Sequence, residues 1–129
     1  MSGSLSRRLA AWNSGSLLQQ TVSTLTTDNQ HIHTLQTDHN PAAVKTACEA
    51  MGVDARRANS YLPTPDQQIT NMLNTAYTDE YTASIECYKD ASRPATSKSL
   101  ASYDRLVSQA NSRFGQAAKL YNEIMHKHS

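Results

Sequence analysis

The chain has 129 residues and a formal net charge of +1, enough for one hydrophobic core and too little for two. Leu, Ile, Val and Phe are modest in number, but six Tyr, four Met and many Ala extend the apolar supply, so a thin folded core is expected rather than disorder. The near-neutral charge argues against nucleic-acid binding, Arg7-Arg8 and Arg56-Arg57 being isolated pairs, and no apolar run approaches the ~20 residues that cross a bilayer.

In chain order, Leu5, Leu9 and Trp12 predict a short helical turn, closed by Asn13-Ser14-Gly15. Residues 1–15 are therefore set apart as an N-terminal segment, and 16–129 are assigned to a single helical-bundle domain. Arg7-Arg8 precedes only Leu9, Ala10 and Ala11 before polarity returns, so no signal peptide or anchor is expected here. Met1-Ser2-Gly3-Ser4 reads equally as an artificial start placed after a removed leader.

The first long helix is predicted over Ser16 to Thr37, with Leu18, Val22, Leu25, Ile32 and Leu35 on one side and Asp28 and Asn29 interrupting that stripe. Asp38-His39-Asn40-Pro41 ends it and caps the next, because Asn40 accepts from free amides and Pro41 fits a first helical turn. The second helix carries the clearest amphipathic pattern: Val44, Ala47, Cys48, Met51, Ala55, Ala58 and Leu62. The prolines of Tyr61-Leu62-Pro63-Thr64-Pro65-Asp66 enforce a non-helical break. A third helix follows with Ile69, Leu73, Ala76, Tyr77, Ala83, Ser84 and Cys87. After the break at Ser92-Arg93-Pro94 comes a fourth, with Leu100, Tyr103, Val107, Ala110, Phe114, Ala117, Tyr121 and Ile124. The fold class expected is all-α, an antiparallel bundle of about four helices.

Cys48 and Cys87 both fall in core-facing stripes, and their register can be checked. Cys48 lies 13 residues before Tyr61 and Cys87 lies 21 after Asp66. This leaves a mismatch of roughly 12 Å along the helix axes, which an extended Leu62 to Pro65 segment cancels at about 3 Å per residue. One inter-helix disulfide is therefore expected, and with it an oxidising, extracytoplasmic compartment.

Catalytic and metal-ligating patterns fail on spacing. His31, His33, His39, His126 and His128 offer no pair at four-residue spacing, so no metal site is expected. Glu123 and His126 form a single ExxH element aimed away from the aromatic face, where a di-iron bundle needs two inward-facing ones. Glu80 stands within an apolar stripe; such a carboxylate is a candidate acid, but reaching an edge or pairing with an Arg or Lys is the commoner outcome. No GxSxG or SxxK element supplies a nucleophile. Tyr77, Tyr81 and Tyr88 share one flank at helical spacing and form a candidate binding surface. No cofactor and no enzymatic activity are expected.

Ala11-Trp12-Asn13-Ser14-Gly15, Ala47-Cys48-Glu49, Leu62-Pro63-Thr64-Pro65-Asp66, Tyr81 and Glu86-Cys87 together resemble uncharacterised helical domains of actinobacterial exported or membrane-anchored proteins. The resemblance covers most of the chain. It implies two helices, each with one cysteine, joined by the Pro-x-Pro-Asp turn, and a location outside the cytoplasmic membrane with an anchor upstream. It implies no substrate and no catalytic residue. Met72 or Leu73 stands where that group often has a tryptophan, and the histidine-rich first helix is a further departure. Trp12-Asn13-Ser14-Gly15 is more distantly similar to the turn of WXG-type secreted helical hairpins, with one residue too many. The resulting expectation is a non-enzymatic module that binds a protein or cell-envelope component. The alternative is a small-ligand carrier or sensor with a pocket between helices lined by tyrosines and methionines.

Overall fold

The computed structural model describes residues 2–38, 40–91 and 97–127, with side chains from residue 4 onward in the first segment and from residue 101 in the last. Five helices follow in order: α1 Ser2–Trp12, α2 Leu17–Thr37, α3 Pro41–Asn59, α4 Gln67–Asp90 and α5 Ser97–Lys127. There is no strand among the described residues. The four long helices form the all-α antiparallel bundle, and the predicted N-terminal turn is a full additional helix of 11 residues. His39, the Ser92-Arg93-Pro94 break and the side chain of Leu100 lie outside the described residues.

Local chemistry sets the ends of the helices. Asn40 Oδ1 accepts from the Ala43 amide at 3.2 Å with Pro41 in the first turn of α3, and Asp66 Oδ1 accepts from the Ile69 amide at 2.9 Å to start α4. Thr64 and Thr70 lock the Pro-x-Pro-Asp turn. Thr64 Oγ1 donates to the Asp66 carbonyl at 2.8 Å, and the Thr64 amide donates to Thr70 Oγ1 at 2.9 Å. Between α1 and α2 the backbone turns through two left-handed residues, Gly15 at φ 69° and Ser16 at φ 62°. Asn13 Oδ1 closes that turn from outside by accepting from the Leu18 amide at 2.7 Å.

One core runs through the molecule. α2 contributes Leu18, Leu25 and Ile32, and α3 contributes Val44, Ala47, Met51, Ala55 and Ala58. α4 adds Ile69, Leu73, Ala76, Tyr77 and Ala83, and α5 adds Tyr103, Val107, Ala110, Phe114, Ala117 and Ile124. Leu9 of α1 is fully buried in the same cluster, and Trp12 packs against it. The Trp12 Nε1–H donates to the Tyr61 carbonyl at 2.9 Å, which ties α1 to the end of α3.

The Cys48–Cys87 disulfide joins α3 to α4, with the two Cα atoms 5.7 Å apart. Counting from it at about 1.5 Å per residue, α4 begins roughly 13 Å beyond the level where α3 ends. The connection of residues 60–66, with Leu62 to Thr64 non-helical, spans that offset, as the cysteine register requires. Pairings along this seam run in opposite chain order: Lys45 with Tyr88, Cys48 with Cys87, Gly52 with Ser84, Arg56 with Tyr81. Gly52 permits the approach, since a methyl group placed on it meets Ser84 Oγ at 2.8 Å.

Candidate functional site

The outer face of the disulfide-linked pair carries an apolar groove. α3 supplies Glu49, Gly52, Val53 and Arg56 and α4 supplies Tyr81, Ser84, Ile85, Tyr88 and Lys89, around a volume of about 480 Å³ with Cys48 at its floor. Residues at i, i+4 and i+7 of each helix share a face, so the same periodicity that buries Ala47, Met51 and Ala55 leaves Glu49, Val53 and Arg56 outward. Val53 is 56% exposed, Tyr88 42% and Ile85 37%. Three large apolar side chains in one groove make a patch of the kind that marks interaction surfaces.

Cations rim it. The Lys45 ammonium stands 5.5 Å from the Tyr88 ring centre, and the Arg56 guanidinium 5.7 Å from that of Tyr81, distances at which the ring face attracts positive charge. With Lys89, three cations face one acid, Glu49, around the groove. The predicted tyrosine trio is thereby divided. Tyr81 and Tyr88 lie in the groove, whereas Tyr77 turns into the core against Phe114, with ring centres 5.6 Å apart, and its hydroxyl lies 3.1 Å from Thr21 Oγ1. Burial raises the Tyr77 hydroxyl above the ordinary phenol range, against the lowering effect of Thr21. Methionine does not line the groove; Met51 is buried, with its sulfur 3.9 Å from the Tyr103 hydroxyl.

A second constellation lies inside the bundle. Half-buried Asp28 of α2 and Asp54 of α3 meet buried Glu80 of α4 and Tyr103 of α5 in a polar layer. Glu80 is 2% exposed, and neither its Oε2 nor Asp28 Oδ2 has a hydrogen-bond partner. The expected edge position or cation for Glu80 is not what the structure shows: it is enclosed, and the charges acting on it are those of Asp28 and Asp79, both of its own sign. Burial, followed by these two negative charges, pushes its carboxyl up to about 8. Asp28 is pushed up to about 7 by burial, then by the hydrogen bond and charge of Asp54. Burial also raises Asp79, with Arg113 opposing. Tyr103 is raised by burial and then by the charges of Glu80, Asp104 and Asp28, and its hydroxyl donates to Asn29 Oδ1 at 2.6 Å.

The histidines occupy other places. His31 and His126 are exposed, as is Glu123, so the ExxH element faces solvent. His33 sets Nε2 3.4 Å from Asp104 Oδ1 and its ring edge-on to Tyr103 at 5.9 Å; His39 and His128 lie outside the described residues. Among the described residues there is no cluster of three or more His, Cys, Asp or Glu side chains suited to a metal ion, and no helix long and apolar enough to cross a membrane. Sequence reasoning missed Val53, Ile85 and Lys45 of the groove. The signal for Val53 and Ile85 was a single large apolar residue on the otherwise polar outward face of each helix; Lys45 carried none. Comparison with protein-family models, with curated proteins and with solved structures gives no match to this chain.

Proposed function

We propose that the chain is a non-enzymatic interaction module of an oxidising, extracytoplasmic compartment, and that its α3–α4 groove docks an amphipathic helix of a protein partner with an acidic edge. The observation that carries the reading is the groove itself: Val53, Ile85 and Tyr88 exposed side by side under a rim of Lys45, Arg56 and Lys89. An amphipathic helix laid there buries its apolar ridge on those three residues. Asp or Glu along its flank answers the surplus of positive charge, which gives orientation and association rate more than raw affinity. The disulfide beneath the groove supports the compartment, in keeping with the resemblance to exported actinobacterial helical domains. It also holds the two walls at fixed spacing, so the surface is formed before the partner arrives.

The test is selection of a displayed library of helical peptides on the oxidised domain. The expected winners carry apolar residues at i, i+3 or i+4 and i+7 with an acidic flank, and lose at least tenfold in affinity for Val53→Lys or Tyr88→Ala. No enrichment, or equal binding to both variants, overturns the reading. A screen of small molecules by thermal shift supplies the opposing arm. A compound that raises Tm in the parent chain and not in Tyr88→Ala assigns the groove to a small ligand instead.

A further inference from the structure

Two oxygens without hydrogen-bond partners, on Asp28 and Glu80, sit in a bundle whose four long helices each bring one titratable side chain to the same layer. A carboxylate enclosed without a cation or donor is far costlier than a neutral carboxylic acid, because the charge loses its hydration and gains nothing in return. The arrangement across the helices compounds this. Asp28 faces Asp54 across the α2–α3 seam, and Glu80 from α4 feels Asp28 and its neighbour Asp79. From α5 come Tyr103, Asp104 and Arg113. Arg113 acts on Asp79, and Asp104 is 3.4 Å from His33 of α2. α2 thus meets α3 and α4 acid to acid, through Asp28, whereas α3 and α4 are covalently joined.

We infer that this layer is a proton-dependent lock on α2: protons held on Asp28 and Glu80 keep the bundle closed, and their loss to water as pH rises frees α2 while the disulfide keeps α3 and α4 together. The direction follows from linkage. In the unfolded chain these carboxyls titrate near pH 4, while in the closed bundle Asp28 and Glu80 are held up to about 7 and 8. The closed state therefore binds more protons, and its stability is greatest on the acid side and is lost as pH climbs from about 4 through 8. Each proton bound only in the closed state changes the opening constant about tenfold per pH unit. Like charges then face each other across the α2–α3 seam.

The test uses the full chain with its disulfide intact. Hydrogen exchange, corrected for intrinsic rates, is followed between pH 6 and 9, together with the urea-unfolding constant between pH 5 and 8. The expected result is an unfolding constant that rises at least tenfold per pH unit, with α2 amides losing protection well ahead of those of α3 and α4. Glu80→Gln and Asp28→Asn each remove one proton from the count, so either variant should flatten the slope and exceed the parent in stability at pH 8 or above. A parent chain whose stability is level or increases from pH 5 to 8, or whose α2 protection does not fall, overturns the inference without recourse to any variant. Slopes unchanged in both variants overturn the assignment to this layer.

Discussion

The two seams that flank α3 are built on opposite principles. Toward α4 it meets a small side chain and a covalent bond: Gly52 lets Ser84 in, and Cys48 joins Cys87. Toward α2 it meets Asp28 with Asp54, and beyond that a layer of half-satisfied polar groups. The first seam depends on volume and is indifferent to protons. The second depends on protons. A thin core can therefore confine its rigidity to the face that needs a fixed shape and leave the opposite face responsive.

The largest blow to that contrast is loss of the cross-link. Replacing Cys48 and Cys87 by Ala together should lower unfolding free energy by about 4 kcal/mol on the chain-entropy view for this loop size; denaturant titration of parent and variant at pH 5 measures it. Next comes Gly52→Leu, expected to destabilise by about 3 kcal/mol through overpacking against Ser84 and Tyr81. A milder Gly52→Ala should be largely restored by Ser84→Ala, since the atom in the way is the hydroxyl, and neither change should alter the pH slope. In the polar layer beyond the other seam, between α5 and α2, Tyr103→Phe removes the donor to Asn29 Oδ1 and should lower stability by about 1 kcal/mol. Equal pH slopes in Gly52→Leu and Asp28→Asn would erase the distinction between the seams. Ser16 lies in neither seam, so Ser16→Gly serves as a control: relief of its left-handed φ of 62° should stabilise by about 0.5 kcal/mol, read as a rise in Tm.

What the sequence made legible follows the same division. The α3 stripe of Val44, Ala47, Cys48, Met51, Ala55 and Ala58 is buried as its spacing predicts, and the bridge followed from that stripe and a count of residues. Local rules suffice where helix periodicity and caps decide. Asp28 and Asn29, by contrast, read as a flaw in the first long helix. Their partners are Asp54 and Tyr103, the latter 74 positions away, and no periodicity within one helix reveals a pairing between two. Glu80 suffered the same blindness, since the groups around it include Asp28 of α2 and Tyr103 of α5. α1 read as a turn for a related reason: its anchor is the carbonyl of Tyr61, 49 residues on. Of the candidate tyrosines, Tyr88 is exposed and Tyr81 half-buried in the groove, while Tyr77, on the neighbouring edge of the stripe, filled core space instead.

The contact between Trp12 and the Tyr61 carbonyl makes the chain self-reporting. Trp12 is its single tryptophan, and its indole sits where α1 meets the end of α3. Undocking of α1 should therefore shift the emission towards the red while circular dichroism, dominated by the long helices, stays unchanged. Without any added label, one fluorescence trace paired with one dichroism trace separates release of the N-terminal helix from melting of the bundle, and shows whether the two happen together.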